Sequence, residues 1–210
     1  IPEDRNITIT ASDTLPDGVS AVKEGTTWKK NDLISYTLTV SSNDGARALA
    51  RSGGEYITGT STDPRLRFIA KMNDKAKSLG LESLVFYNEH GLDENSKQAG
   101  SYGNATDIAR LLWNAYRNAS PIFEKTTENN SITVSSSGII STKNTNQNAD
   151  RTPGLTLSKT GFTDLAHGNL GIIFEPSPGR PVVVVVLHST KEKRFSDVDI
   201  LRKKVLEALQ

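Results

Sequence analysis

An uninterrupted apolar run near the carboxyl end, residues 181–187 with five consecutive valines, constrains the fold of this chain more than any other feature. A short apolar run bounded by turn residues predicts a buried β-strand. It is far too short to cross a bilayer, which takes about 20 residues in a helix. A second apolar stretch at residues 170–174 lies just before the turn sequence Glu-Pro-Ser-Pro-Gly-Arg at 175–180. Together these segments predict an antiparallel β-hairpin.

Helices are predicted mainly in the middle of the chain. Asp63 followed by Pro64 is typical of a helix start, and apolar residues then recur at helical spacing until Gly80, which ends the helix. Residues 44–51 are rich in alanine, and residues 105–116 repeat the helical pattern. Three helices are therefore expected between residues 44 and 116.

Two further segments carry helix signals of different strength. The Ser-Asp-Val-Asp sequence at 196–199 has the form of a capping box and predicts a last helix that ends near residue 209. Residues 31–40 leave two alternatives open. Asn31 or Asp32 could cap a helix there, whereas the same segment alternates apolar and polar residues as a strand does.

Further strands are predicted at residues 7–10 near the start, at 83–87 between two predicted helices, and at 132–134, 139–142 and 155–159 in the second half. Strands near the ends, helices between them and a final helix predict an α+β fold, in which an antiparallel sheet lies beside a helical lobe. We expect one domain spanning residues 1–210.

Composition excludes several classes of function. The chain has 25 Lys and Arg against 24 Asp and Glu, a net charge of +1, which does not indicate a nucleic-acid-binding protein. The absence of cysteine excludes disulfides, thiol catalysis and thiolate metal sites, and it suits an exported bacterial protein. The three histidines, His90, His167 and His188, show no metal-ligand spacing. The histidines therefore give no indication of a metal site.

Two short motifs, far apart in the sequence, carry groups suited to catalysis. In the Lys-Thr-Gly at 159–161 the lysine would supply positive potential, the threonine a hydrogen bond and the glycine room for a substrate backbone. The second motif is the Ser-Ser-Asn at 41–43. Each also has a plain structural interpretation, because Lys159 could lie on a surface strand while Ser41 or Asn43 capped a helix.

In order and context these motifs resemble the serine-type D-alanyl-D-alanine carboxypeptidases, the low-mass penicillin-binding proteins. Residues 155–171, LTLSKTGFTDLAHGNLG, resemble the strand that carries the family's Lys-Thr-Gly. Residues 40–50 resemble its Ser-x-Asn segment and the alanine-rich helix that follows. Residues 86–93, FYNEHGLD, resemble its His-Gly-Leu-Asp loop. The similarity spans roughly residues 30–205 and implies the penicillin-binding-protein/β-lactamase-like transpeptidase fold.

The resemblance implies three catalytic residues. Ser41 would relay a proton, Asn43 would hold the substrate's amide and the catalytic lysine, and Lys159 would handle protons and supply potential. His90 lies in the resembling loop, where we interpret it as a packing residue, and His167 stands where the family often has glycine.

Four residues are implied in substrate binding. The backbone N–H of Phe162 would form part of an oxyanion hole, and Gly161 would leave room for the substrate. Thr160 and Arg194 would bind the substrate's terminal carboxylate, for which a guanidinium is well matched. The alternative for Arg194, which lies 35 positions after the lysine of the motif, is a solvated basic run at residues 191–194.

The serine nucleophile is the missing piece. The family's nucleophile belongs to a Ser-x-x-Lys motif, and only residues 20–23 have that spacing here. This segment lies between Gly18 and Gly25, which leaves too few residues for a stable helical turn. It is also only 21 positions before Ser41, whereas the family places the nucleophile about three times further upstream. We therefore expect the first strands and the nucleophile helix in a segment upstream of Ile1.

The resemblance implies hydrolysis of the terminal D-Ala-D-Ala bond of peptidoglycan stem peptides through a serine acyl-enzyme, which β-lactam antibiotics would trap. It implies no metal and no cofactor. Such an enzyme would work outside the cytoplasm, in the periplasm or at the cell surface of a bacterium. A non-catalytic module that binds cell-wall peptides through Thr160 and Arg194, or a pseudo-enzyme of the same fold, is an alternative. A β-lactamase is a third candidate, but no matching glutamate-bearing loop occurs between residues 43 and 159.

Overall fold

The computed structural model of the protein describes residues 2, 4–16 and 21–209. Ser20, the serine of the Ser-x-x-Lys spacing that we rejected as the nucleophile motif, lies outside the described residues. The α-helices are α1 Lys30–Val40, α2 Asn43–Gly54, α3 Pro64–Ser78, α4 Ala105–Ala119 and α5 Lys193–Ala208. The strands are β1 Asn6–Thr8, β2 Thr27–Lys29, β3 Val85–Phe86, β4 Ser101–Tyr102, β5 Asn130–Ser135, β6 Gly138–Lys143, β7 Leu155–Thr163, β8 His167–Phe174 and β9 Val182–Ser189. Short 3-10 helices occur at Ala11–Asp13, Ser120–Thr127 and Ala149–Arg151.

The largest sheet is an antiparallel meander in the order β7-β8-β9. It contains the predicted hairpin, with Ile172 of β8 opposite Val184 of β9. Three separate antiparallel pairs, β1-β2, β3-β4 and β5-β6, complete the strands. The α+β prediction is confirmed. Within the described ranges, no helix is both long enough and apolar enough to span a membrane.

Helices pack on both faces of the meander, which explains the apolar runs at residues 170–174 of β8 and 182–187 of β9. On one face Leu170 and Phe174 pack with Phe195 of α5 in a buried cluster. On the other face α4 comes so close that a Cβ added to Gly171 would lie 2.6 Å from Leu112 Cδ1. Burying each large apolar side chain contributes about 1.5–3 kcal/mol, so this layer is a principal source of stability.

Helix α1 resolves the ambiguity of residues 31–40 in favour of a helix. Leu33 and Tyr36, three residues apart, are both buried, and the ring of Tyr36 lies 5.0 Å from that of Trp28. Ile7 and Ile9 join the same cluster. The strand-like alternation of the sequence is therefore incidental, because tertiary packing uses the helical period instead.

The connection between α1 and α2, which we call the elbow (residues 41–42), turns through a left-handed residue. Ser41 ends α1 with φ 57° and ψ 48°, and Ser42 Oγ accepts a hydrogen bond from Gly45 N at 3.0 Å. The cap of α2 is thus Ser42, so the interpretation of Ser41 or Asn43 as the cap is wrong. Gly45 is needed because a Cβ there would lie 2.1 Å from Thr37 Oγ1.

Two helix starts test the capping predictions. Asp63 caps α3 as predicted, its carboxylate accepting from Arg65 N at 2.8 Å. The predicted start of the last helix is wrong. Helix α5 begins at Lys193, whose N–H donates to Thr190 Oγ1 at 2.9 Å, and Ser196 lies within the first turn, donating to Lys193 O. The hydroxyl of Thr190, three residues before Lys193, therefore takes the place of the expected capping box.

An ion pair with one fully buried partner links the amino-terminal segment to α2. Arg51 donates to the Asp13 carboxylate at 2.8–3.1 Å and to Thr8 O at 2.8 Å, and the Asp13 side chain is fully buried. Burial alone would raise the pKa of Asp13, but hydrogen bonds from Arg51 and Thr10 outweigh it and hold that pKa below its ordinary value.

Candidate active site

A cleft of about 830 Å³ separates the meander from the helical part of the protein. Its polar end is lined by Ser41, Asn43, Asn88, Glu89 and Lys159. Its other walls are apolar and come from α4, the β3–β4 region and the meander, with Leu84, Phe86, Ile108, Leu111, Leu112 and Val185. The cleft therefore combines a compact group of polar side chains with a large apolar surface.

The central contact of the polar end joins the two motifs. Lys159 Nζ donates a hydrogen bond to Ser41 Oγ at 2.7 Å, across 118 positions of sequence. The same ammonium donates to Thr160 O at 2.7 Å. The left-handed conformation of Ser41 turns the chain at the elbow, and the sheet positions the lysine, so two rigid elements hold this pair together.

Burial of the ammonium lowers the pKa of Lys159 to about 8 from the ordinary 10.5, and the positive charge of Arg194 acts in the same direction. A lysine with this pKa changes charge only slightly above neutral pH, where it can both hold and release a proton. Perturbed lysines of this kind are concentrated at catalytic sites.

Strand alternation divides the Lys-Thr-Gly between the two faces of β7. Lys159 and Gly161 lie opposite Gly171 and Asn169 of β8, on one face, and the side chain of Thr160 belongs to the other. Thr160 is buried, and its hydroxyl donates to Thr145 Oγ1 at 2.7 Å. In this state the threonine hydroxyl donates its proton within the protein.

Arg194 is buried in the first turn of α5, so its interpretation as part of a solvated basic run is wrong. Its Nη1 donates to Gly161 O at 2.6 Å, while its buried Nε has no hydrogen-bond partner. The guanidinium thus lies behind the strand that carries Lys159, where it braces the backbone and contributes positive potential.

The remaining two predicted residues both line the cleft. Asn43 is the first residue of α2, directly after the elbow. Phe162 has 43% of its surface exposed, and Lys191 Nζ lies 5.2 Å from the centre of its ring. Six of the seven predicted residues therefore line one cleft, namely Ser41, Asn43, Lys159, Thr160, Gly161 and Phe162, whereas Arg194 is not among its lining residues.

The loop after β3 contributes further groups, of which Asn88 and Asp93 were not predicted from the sequence to have a role. Asn88 is buried and its Oδ1 accepts from Gly91 N at 2.6 Å, which fixes the loop. His90 packs within it, and burial lowers its pKa, although the charge of Glu89 opposes the shift. Asp93 accepts hydrogen bonds from the turn after β7. The signal for Asp93 was present in the His-Gly-Leu-Asp motif but carried no spatial information.

Sequence comparisons identify relatives of this chain. The family model of the S11 peptidases, D-alanyl-D-alanine carboxypeptidase, matches residues 3–191. The D-alanyl-D-alanine carboxypeptidase DacB2 of Mycobacterium tuberculosis is 32% identical over 150 residues, which cover 70% of this chain and 46% of that protein. DacF of Bacillus subtilis, of the same description, is 29% identical over 167 residues, 80% of this chain and 40% of that protein. The chain thus spans less than half the length of these two relatives.

Structural comparisons agree with the sequence comparisons. Penicillin-binding protein D2 from Listeria monocytogenes, solved in an ampicillin-bound form, matches with a TM-score of 0.77 and 28% identity, over 96% of this chain and 76% of that one. The Streptomyces K15 DD-transpeptidase matches with a TM-score of 0.80 and 25% identity, over 97% of this chain and 79% of that one. On the combined evidence of motifs, cleft geometry and relatives, this chain belongs to the D-alanyl-D-alanine carboxypeptidase family.

Proposed function

We propose that this chain forms two walls of the active site of a serine-type D-Ala-D-Ala carboxypeptidase. Outside the bacterial cytoplasm, the enzyme would remove the terminal D-alanine of peptidoglycan stem peptides and would be acylated by β-lactams. The observation that carries the proposal is the 2.7 Å contact between Lys159 Nζ and Ser41 Oγ, beside Asn43 in one cleft. Family membership and the ampicillin-bound form of a relative support the same chemistry.

The polar end of the cleft is suited to acyl transfer. A serine nucleophile would attack the D-Ala–D-Ala carbonyl, form an acyl-enzyme and release D-alanine, and water would then hydrolyse the ester. Ser41, paired with Lys159, would relay the proton from the nucleophile to the leaving amine. The backbone N–H of Phe162 would stabilise the oxyanion, and loss of one such donor typically lowers the rate by about 10²–10³.

Positive potential at the same end would hold the substrate's terminal carboxylate. Lys159 and Arg194 are close enough for the charge of the arginine to lower the pKa of the lysine. A carboxylate bound beside Lys159 would offset this repulsion and raise that pKa again. Thr160 could contribute its hydroxyl only by giving up its bond to Thr145, so substrate binding would rearrange this pair.

We propose that the nucleophile comes from a segment outside these 210 residues and that this segment lies in the apolar part of the cleft. Leu112 and Val185 are among the side chains lining that part. A helix with its side chains is about 10 Å across, and one apolar face of it would cover this surface. A serine on that helix's polar face would then lie beside Ser41 and Lys159.

The experiment uses the protein encoded by the gene with its upstream segment, compared with the 210-residue chain alone. We expect fluorescent penicillin to label the longer protein covalently, with release of D-alanine from a peptide ending in D-Ala-D-Ala. Labelling should be lost in Lys159→Ala and kept in Lys143→Ala, a lysine on the β5–β6 hairpin. If the longer protein carries a Ser-x-x-Lys motif and neither labels nor releases D-alanine, the proposal is wrong.

A non-catalytic module that binds cell-wall peptides is the second candidate. It is favoured by the presence of Ser41, Lys159 and Arg194 in a sequence whose only Ser-x-x-Lys spacing is at residues 20–23. Calorimetry of the 210-residue chain with a D-Ala-D-Ala peptide distinguishes the two. Binding without acylation, weakened in Arg194→Gln, supports the module, whereas absence of heat excludes it.

A further inference from the structure

Two histidines lie close together where β8 begins and β9 ends. His167 and His188 are 21 positions apart in sequence, yet their ring centroids are 4.4 Å apart, with the ring planes at 87°. Both side chains are exposed, and His188 also lines the cleft. A register shift between β8 and β9 brings the two positions together.

Both histidines have left-handed backbones. Within the described ranges, the non-glycine residues with positive φ are Ser41, His167 and His188, at 57°, 54° and 60°. Each such residue costs about 1–2 kcal/mol, and strain of this kind is concentrated at functional sites. One of the three already belongs to the candidate active site, and the other two form this pair.

One side chain holds both backbones in place. Asn169 Oδ1 accepts a hydrogen bond from His188 N at 2.9 Å, and Asn169 Nδ2 donates to His167 O at 2.9 Å. The asparagine therefore fixes the two left-handed residues relative to each other. The fold therefore holds the backbones that carry the two imidazoles close together.

We propose that His167 and His188 together bind one divalent transition-metal ion of the borderline class, of which Zn²⁺ is the representative. Imidazole nitrogens bind zinc at about 2.0–2.1 Å. When the angle between the two zinc–nitrogen bonds is about 90–109°, the centroids of the two rings lie about 4.5–5 Å apart. The observed separation of 4.4 Å is close to that value, although the rings meet edge to face, so both imidazoles rotate to point one nitrogen each at the ion. This inference is independent of the proposed enzymatic function.

The site has two protein ligands and open positions. Among the described residues no group of three or more His, Asp or Glu side chains is arranged to hold a metal. Water, or an oxygen of a ligand in the cleft beside His188, therefore completes the coordination. Hard cations such as Mg²⁺ and Ca²⁺ prefer oxygen ligands, so the site discriminates against them.

The test is calorimetric titration of the 210-residue chain with Zn²⁺ at pH 7.5. We expect saturable binding of one ion, weakened at least about tenfold in His167→Asn and in His188→Asn, because each loses one of two ligands. Asparagine is chosen since it tolerates left-handed backbones. His90→Asn, which removes a histidine elsewhere, should bind Zn²⁺ like the unsubstituted chain, and Mg²⁺ should give no heat.

Two outcomes overturn the proposal: absence of saturable Zn²⁺ binding, and binding that is unchanged in both variants of the pair. Thermal unfolding provides a second measurement that also checks folding. Zn²⁺ should raise the melting temperature of the unsubstituted chain and of His90→Asn, and leave that of the two pair variants unchanged. A rise of equal size in all four proteins counts against the site.

Discussion

Asp93 and Thr163 are joined by a hydrogen bond of 2.8 Å from the threonine hydroxyl to Asp93 Oδ1. The second carboxylate oxygen of Asp93 accepts from Leu165 N at 3.1 Å. Asp93 follows the loop that lines the helical side of the cleft, and Thr163 ends the strand that carries Lys159. These bonds therefore fix the separation of the two walls.

Replacement of Asp93 by alanine should loosen the β7–β8 turn. Two donors would lose their acceptor, so we expect the free energy of unfolding to fall by about 1–3 kcal/mol. Urea unfolding measures this change, and faster hydrogen exchange of the amides at residues 163–166 should accompany it. Asp164→Ala, an exposed carboxylate in the same turn, is the control. Equal effects of the two substitutions would show that Asp93 has no special role.

Replacement of Lys159 by methionine should stabilise the protein at neutral pH. The lysine has a pKa of about 8 when folded and 10.5 as its ordinary value, so between these pH values the unfolded chain binds more protons. Stability of the unsubstituted protein should therefore rise with pH across that window. Below pH 8 the variant avoids the penalty and should be more stable by about 3 kcal/mol, the free energy that corresponds to a pKa difference of 2.5. Denaturant unfolding at pH 7 and pH 10 tests this, and a gain that is the same at both pH values would contradict it.

The Asp13–Arg51 pair should dominate the acid sensitivity of the amino-terminal part. Because the pKa of Asp13 is lowered by folding, its contribution is complete above its unfolded pKa near 4 and is lost as pH falls through the folded value. Asp13→Asn should cost about 3 kcal/mol at pH 7 and flatten the loss of stability below pH 4. Asp74→Asn, on the exposed side of α3, should change neither quantity. The free energy of unfolding of all three proteins, measured between pH 7 and pH values below 4, tests this. Equal acid sensitivity of Asp13→Asn and the unsubstituted protein would contradict the prediction.

Substitutions of Ser41 should separate its backbone from its hydroxyl. Ser41→Gly and Ser41→Ala both remove the acceptor of the Lys159 bond, but glycine adopts positive φ without strain. We expect the glycine variant to be more stable than the alanine variant by about 1 kcal/mol, with penicillin labelling of the longer protein lowered equally in both. Lower labelling in only one of them would mean that the conformation of the elbow, rather than the hydroxyl, matters.

Local signals in the sequence predicted much of this fold. The Asp63-Pro64 start of α3 and the hairpin of β8 and β9 are confirmed because caps, turns and apolar runs act over a few residues. Residues 31–40 could not be assigned to a helix or a strand from the sequence, since the segment fits both. Which of the two forms depends on which side chains the rest of the protein buries. The start of α5 was missed because Thr190, rather than the better-looking Ser196, meets its first N–H groups.

The candidate site was predictable in its residues but not in its arrangement. The motifs placed Ser41 and Lys159 in one site, whereas the bracing role of Arg194 behind Gly161 depends on packing that no local pattern encodes. The proximity of His167 and His188 was equally invisible, because it follows from a register shift between two strands. Spacing rules for metal ligands apply within one element and miss pairs that neighbouring strands create.

The meander and the helix that covers one face of it come from one continuous stretch, residues 155–208. Such a unit closes only short loops, so its chain entropy cost is small and it can form early and by itself. The Ser41–Lys159 contact, in contrast, must bridge 118 positions. Assembly of the cleft is therefore expected to be the final docking step of folding, and the same docked interface should be the first to open in the native ensemble.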